Sequence, residues 1–309
     1  MKKIICLLLT LCLLLCGCGA KTEPEVSGYT FTDDLGRTVT VTSHERTAAL
    51  LGSYADIWML AGGTVVATAD DAWNDFQLPL GEDAVNLGAT KHLSLELLLA
   101  ADPDFVIASS KTSQHVEWKD TLEAAGIVVA YFEVNTFDDY MRMLKICTDL
   151  TGRADLYEQY GTAIEPVVAQ TIEHSSKRVE EQGAQSVLVL RASATFILAK
   201  NSKGTVLGEM LHDLGCTNIA DSDAGLLENL SVESILAMDP DRIFIVQSGD
   251  DTEGTKANVE AMFRDDPAWQ GLTAVQEGKV HYVDKQLFNL KPNARWGEAY
   301  EILEEILSN

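Results

Sequence analysis

The sequence predicts a bilobal α/β protein on three observations. Short apolar stretches of strand character alternate with helical ones along the chain, the order that builds a parallel α/β sheet. One twelve-residue phrase occurs twice: Leu93–Asp104 reads LSLELLLAADPD and Leu230–Asp241 reads LSVESILAMDPD, identical at eight of twelve positions. Self-similarity at that separation implies two copies of one supersecondary unit. Between the copies lies a long helical stretch, so the chain divides into two similar lobes.

At the start, Lys2 and Lys3 precede the apolar run ICLLLTLCLLL. That run is short for a bilayer span, and residues 1–17 have the layout of a secretory signal peptide. Residues 18–28 are a polar, turn-rich tether. From Tyr29, YTFTDDLGRTVTVT alternates apolar and polar residues about an Asp-Leu-Gly turn, a hairpin signal. Thr47–Leu51 is a buried-strand candidate, followed by a helix through Ala55–Ala61. Val65–Ala69, Phe105–Ala108 and Val128–Phe132 complete the strands of a first lobe over residues 29–136.

Residues 137–183 are helical. Phe137–Leu150 presents Phe137, Tyr140, Met141, Leu144 and Cys147 on one face. Thr151-Gly152-Arg153 breaks that helix, and Ala154 to about Gln182 reads as a second one. Pro166 should kink it, because proline inside a helix costs about 3 kcal/mol. The second lobe, residues 184–309, brings strands at Ser186–Leu190, Phe196–Ala199, Arg242–Val246 and Val280–Val283. Its helices are expected at Thr205–Leu214 and Trp296–Leu307.

The repeated phrase has a direct physical reading. Ser94 and Ser231 suit N-cap positions, Glu96 and Glu233 fall in the first turn where the helix dipole favours negative charge, and each helix must stop before Pro103 or Pro240. Helix-end electrostatics alone accounts for the two glutamates.

The phrase also resembles the Ser-Leu-Glu, then Leu, then Pro-Asp-Leu-Val-Ile signature of the class III substrate-binding proteins of ABC importers. Further matches follow in order: DDLGRTVTV at Asp33–Val41, Leu150-Thr151-Gly152-Arg153, LGCTNIA at Leu214–Ala220 and AVQEGKVHYVD at Ala274–Asp284. The resemblance implies two three-layer lobes with parallel-type sheets, joined by one long helix, with a ligand cleft between them. It further implies that Glu96 and Glu233, one per lobe, pair with arginines of a permease dimer served by its ATPase subunits. Leu15-Cys16-Gly17-Cys18 resembles a bacterial lipobox, which makes Cys18 the lipidated first residue of a membrane-anchored, extracytoplasmic protein. The competing account is a plain signal peptide cut nearby, with Cys18 incidental.

Composition narrows the function classes. The net charge of −24 becomes about −26 once Lys2 and Lys3 leave, which argues against nucleic acid or anionic membrane as a partner. A monomer is expected, touching the membrane through its lipid alone. Four of the six cysteines (Cys6, Cys12, Cys16, Cys18) belong to the leader; Cys147 and Cys216 remain, most simply as two buried thiols. Nucleophile-elbow, phosphate-loop, dinucleotide and metalloprotease motifs are missing, so a non-enzyme without a cofactor of its own is expected. Of six histidines only His115 falls near a predicted cleft loop, which disfavours a free Zn or Mn ion as cargo.

Ligands of open α/β sheets bind beyond the carboxyl ends of the strands. There the loops hold Tyr54, Trp73, Lys111, Arg191, Arg295 and Trp296, aromatics and cations suited to an Fe(III) chelate or a corrinoid. Each has an ordinary alternative: Trp296 as helix core, Tyr54 and Trp73 packed under their own loops, Lys111 and Arg295 as surface cations. The expected function is capture of an iron complex, a ferric siderophore or related chelate, for an ABC permease; cobalamin or haem is the alternative ligand.

Overall fold

The computed structural model describes residues 28–309; the signal peptide, Cys18 and nearly all of the tether lie outside the described residues. A hairpin of β1 (Tyr29–Thr32) and β2 (Thr38–Val41) comes first, turned at Gly36 with φ 76°. It packs against a five-stranded parallel sheet in the order β5-β4-β3-β6-β7. These strands are β3 (Thr47–Ala49), β4 (Val65–Thr68), β5 (Val85–Asn86), β6 (Phe105–Ser109) and β7 (Val128–Phe132). A second sheet runs β10-β8-β11-β12, built from β8 (Ser186–Ala192), β10 (Thr217–Asn218), β11 (Arg242–Gln247) and β12 (Val280–Val283). The fifth strand, β9 (Ile197–Lys200), pairs antiparallel with the end of β8. The second sheet is therefore mixed, a departure from the expected parallel type, because a short hairpin replaces a crossover there.

Strand alternation distributes the side chains among three cores. Val106 and Ala108 of β6 face an outer core of the first lobe, and Leu188, Leu190, Ile243 and Ile245 of β8 and β11 face an outer core of the second. The alternate residues Phe105, Ile107, Val187, Val189, Phe244 and Val246 all face one middle core shared by both lobes. Into it pack the helices Gly52–Leu60, Phe137–Thr151, Val206–Asp213 and Trp296–Ser308. The lobes are therefore joined by continuous apolar packing as well as by a helix.

The connecting segment is less regular than expected. A short helix at Ala154–Tyr157 passes through a π-helical turn at Glu158–Thr162, and a new helix runs Glu165–Gln182. Pro166 lies in the first turn of that helix, where its missing N–H leaves no bond unmade, so it begins a helix instead of kinking one. Arg178 fastens this helix to the last one: its guanidinium meets Glu304 at 3.0 and 3.2 Å with both side chains buried, and it also donates to Ser175 Oγ and Leu214 O. Cys147 and Cys216 are both free and buried.

Both copies of the phrase fold alike. Ser94 Oγ accepts from Leu97 N at 3.2 Å and Ser231 Oγ from Ser234 N at 3.3 Å, capping the helices Leu95–Ala100 and Val232–Met238. The residue before each proline, Asp102 or Asp239, takes positive φ (50° and 39°) and ends its helix.

Candidate functional site

The carboxyl ends of both sheets open onto one cleft. On the first lobe, Gly52 N donates to the buried Asp71 Oδ1 at 2.8 Å, tying the turn after β3 to the helix Asp71–Asn74. A side chain at Gly52 would meet Ala72 N at 2.5 Å, so this approach requires glycine. Burial pushes the Asp71 carboxyl up to about 6, with the Gly52 N–H opposing and Asp75 and Asp70 adding.

Opposite, Lys285 begins the helix Lys285–Phe288, capped by Asp284. Its Nζ lies 2.7 Å from Asp75 Oδ1 of the first lobe and 2.7 Å from Asp250 Oδ1 of the second. Burial pulls the Lys285 pKa down, but hydrogen bonds and charge from Asp250 and Asp75 outweigh it and the net shift is upward. Around this bridge lies a cleft of about 460 Å³ walled by Asn74 and Asp75 on one side and Gln247, Thr252 and Asp284 on the other. That volume suits a small ligand.

The chain beyond Lys285 crosses to the first lobe. Buried Asn293, at φ 51°, donates from Nδ2 to Ser53 O at 2.9 Å and Asp56 Oδ2 at 2.7 Å. Lys291 Nζ reaches Asn135 Oδ1 at 3.4 Å. This strap ties the second lobe to the first.

The sequence-selected residues do not all reach that cleft. Arg191, the penultimate residue of β8, lies on the face of Val187 and Val189, half-buried, and lines a separate small cavity. Trp73 is partly exposed and adjoins Asn74 and Asp75. Tyr54 and Trp296 are core residues instead. The Tyr54 hydroxyl donates to Phe132 O at 2.9 Å, and Trp296 is fully buried among Phe137 and Tyr140 of the helix Phe137–Thr151 and Tyr300 of its own helix. Lys111 is exposed and paired with Glu133 at 3.0 Å. Arg295 is exposed and held bidentately by Glu298 at 2.7 Å. Glu96 and Glu233 are exposed in the first turns of their helices.

His115 serves the fold. It is fully buried, its Nδ1 accepts from Ser109 N at 3.0 Å, and burial drives its pKa down to about 4. The three nearby aspartates have separate tasks: Asp71 caps a turn, Asp75 holds Lys285, and Asp70 precedes the helix that starts at Asp71. Sequence reasoning passed over Lys285, Lys291, Lys200 and Asn293. For the strap after Lys285 a signal is present in the sequence, since residues 285–296 follow the strand Val280–Val283 at its carboxyl end.

The profile described as periplasmic binding protein matches residues 48–287. The chain is 24% identical over 327 residues to YhfQ of Bacillus subtilis, assigned as an ABC transporter substrate-binding lipoprotein, covering 99% of this chain and 97% of that one. It is 25% identical over 297 residues to the Fe(3+)-citrate-binding protein YfmC of the same species, covering 91% and 89%. Among solved structures, SirA of Staphylococcus aureus complexed with staphyloferrin B superposes with a TM-score of 0.68 at 20% identity, over 91% of this chain and 98% of that one. This likeness concerns the fold.

Proposed function

We propose that this chain, which belongs to the periplasmic binding protein family, captures an iron chelate outside the cytoplasm and hands it to the permease dimer of an ABC transporter. The observation that carries the reading is the cleft of about 460 Å³ walled by both lobes and crossed by Lys285. A ligand seated there touches strand-end loops of two sheets at once, the place where open α/β folds bind ligands. The name of YfmC and the ligand in the SirA complex favour an iron complex as the cargo.

The site residues enter with distinct roles. Asp75, Lys285 and Asp250 form the mouth, Trp73 stands beside it, and Arg191 lies deeper. Tyr54 and Trp296 support the walls from within the core; Lys111 and Arg295 are rim cations. No bond of the cargo is made or broken, so the protein acts as a carrier and not as an enzyme. Cys18 would hold the chain to the membrane by a lipid. Glu96 and Glu233 would meet basic residues of the permease, one on each half of the dimer. Two exposed ion pairs add little affinity, so they serve orientation and encounter.

The reading is tested by intrinsic tryptophan fluorescence of the mature chain titrated with ferric siderophores, ferric citrate, haemin, cobalamin, and free Fe, Zn and Mn ions. Saturable quenching by an iron chelate is expected. A response confined to cobalamin or to free ions would overturn it.

A further inference from the structure

The chain carries a net charge of −24, yet three of its cations converge on one small cavity. Its volume is about 110 Å³, and Arg191, Lys200, Lys291, Asn135, Thr205 and Phe288 are among its lining residues. Two elements run from this cavity to the cleft. Val246 of β11 lines the cavity and Gln247 the cleft; Lys285 lines the cleft and Lys291, farther along the same strap, the cavity.

The arrangement follows from strand geometry. Lys200 of β9 pairs with Val189 and Leu198 with Arg191, so Lys200 and Arg191 are diagonal neighbours on one face. Lys291 approaches from the strap, and the helix Val206–Asp213, capped by Thr205, directs its amino end at the same space.

Such a cluster is costly unless something negative completes it. Among the described residues none of the three cations forms a salt bridge. Lys291 has only Asn135 Oδ1, and Arg191 Nε is buried with no hydrogen-bond partner. Burial, and repulsion from Arg191, lower the Lys291 pKa to about 8 despite the opposing charges of Asp139 and Glu133. Burial also lowers Arg191, and burial with the charge of Arg191 lowers Lys200.

On the reading that the cleft takes an iron chelate, we infer that this cavity is its anion subsite and receives uncoordinated carboxylate of the cargo, so that the cargo is a ferric polycarboxylate of the citrate class. The volume supports this assignment. A cavity of roughly 150 Å³ just holds benzene, so about 110 Å³ has room for carboxylate groups and none for a porphyrin or corrin ring; haemin would enter it only by its two propionates, whereas a ferric polycarboxylate presents its carboxylates with no ring to keep outside. Guanidinium and ammonium groups are the partners that carboxylates bind through charge-assisted hydrogen bonds. A neutral ferric trihydroxamate offers them carbonyl acceptors but no negative charge to balance the cluster.

The test is calorimetric titration of the full mature chain with ferric citrate, a neutral ferric trihydroxamate and haemin, repeated on Arg191→Gln and Lys291→Gln. Ferric citrate is expected to bind, and each variant to weaken it on the order of tenfold or more, the loss expected for one charge-assisted hydrogen bond. Ferric citrate bound equally well by the parent and both variants would overturn the subsite. Haemin or the trihydroxamate bound in place of ferric citrate would overturn the polycarboxylate class and leave the iron-complex reading standing. Binding of no iron complex would remove that reading and the inference with it. Should a variant fail to fold, the parent decides alone: metal-free citrate is expected to raise its Tm, and an unchanged Tm would contradict the subsite.

Discussion

Asp104 and Asp241, the closing residues of the two phrase copies, do the same work in the two lobes. Asp104 accepts from Glu45 N and Arg46 N at 3.1 Å each and from Ser43 Oγ, fixing the chain just before β3. Asp241 accepts from Ser186 N at 2.7 Å and Ser186 Oγ at 2.8 Å, fixing the first residue of β8. In each lobe the carboxylate that leads into one central strand thus anchors the start of its neighbour.

Replacing either aspartate by alanine should cost about 1.5–3 kcal/mol, the range for hydrogen bonds to a charged group. The sites lie in different lobes, so the double variant should show the sum of the two losses within about 0.5 kcal/mol. Because the middle core joins the lobes, urea unfolding should remain a single transition. Two resolved transitions would contradict the shared core.

The buried Arg178–Glu304 pair predicts an asymmetry between breaking and replacing. Glu304→Ala leaves a buried guanidinium without its carboxylate and should destabilise by about 3–5 kcal/mol. Arg178→Met combined with Glu304→Leu should recover much of that loss, since an apolar pair of similar size carries no desolvation penalty. Chemical denaturation of the three proteins checks both statements.

His115 makes the protein acid-sensitive in a defined window. Its folded pKa, about 4, lies below the unfolded value near 6.5, so the unfolded chain binds more protons between them. Stability from this group is complete above pH 6.5 and is lost as pH falls toward 4, on the order of 3 kcal/mol in all. Asp71, raised to about 6, acts in the opposite sense, so the comparison must be made between variants. His115→Asn keeps an acceptor for Ser109 N and should lose less stability between pH 7 and 4.5 than the parent. Equal losses in thermal melts would show that His115 does not titrate as described.

The paired glutamates are tested separately from ligand capture. Glu96→Ala with Glu233→Ala should abolish uptake of radiolabelled iron chelate in cells while leaving the purified protein's affinity unchanged. Normal uptake would remove the docking role.

Elements with strong local signals were legible in the sequence. The caps at Ser94 and Ser231, and the strands Val128–Phe132 and Val280–Val283, stand where pattern and turn chemistry put them. The two-residue strands β5 and β10 are too short to carry a period. The helix Thr252–Asp265 buries only Thr255 and Val259 and so has no apolar stripe to announce it. Trp296 and Tyr54 follow strand ends, where a residue is as well placed for ligand as for core. Only the core shared between lobes decides for burial, and no local window contains it. Lys285, Lys291 and Lys200 read as ordinary surface lysines until the fold brings two of them to Arg191 and the third to Asp75. Of the site, the loops were legible and the charge geometry was not.

The central claim, that cargo sits between the lobes, is tested most directly by anomalous diffraction at the iron edge from crystals grown with ferric citrate. The account predicts one iron peak in the cleft walled by Asp75 and Lys285, with citrate carboxylate reaching Arg191 and Lys291. An iron peak on an outer face, away from both sheets' strand ends, would contradict it.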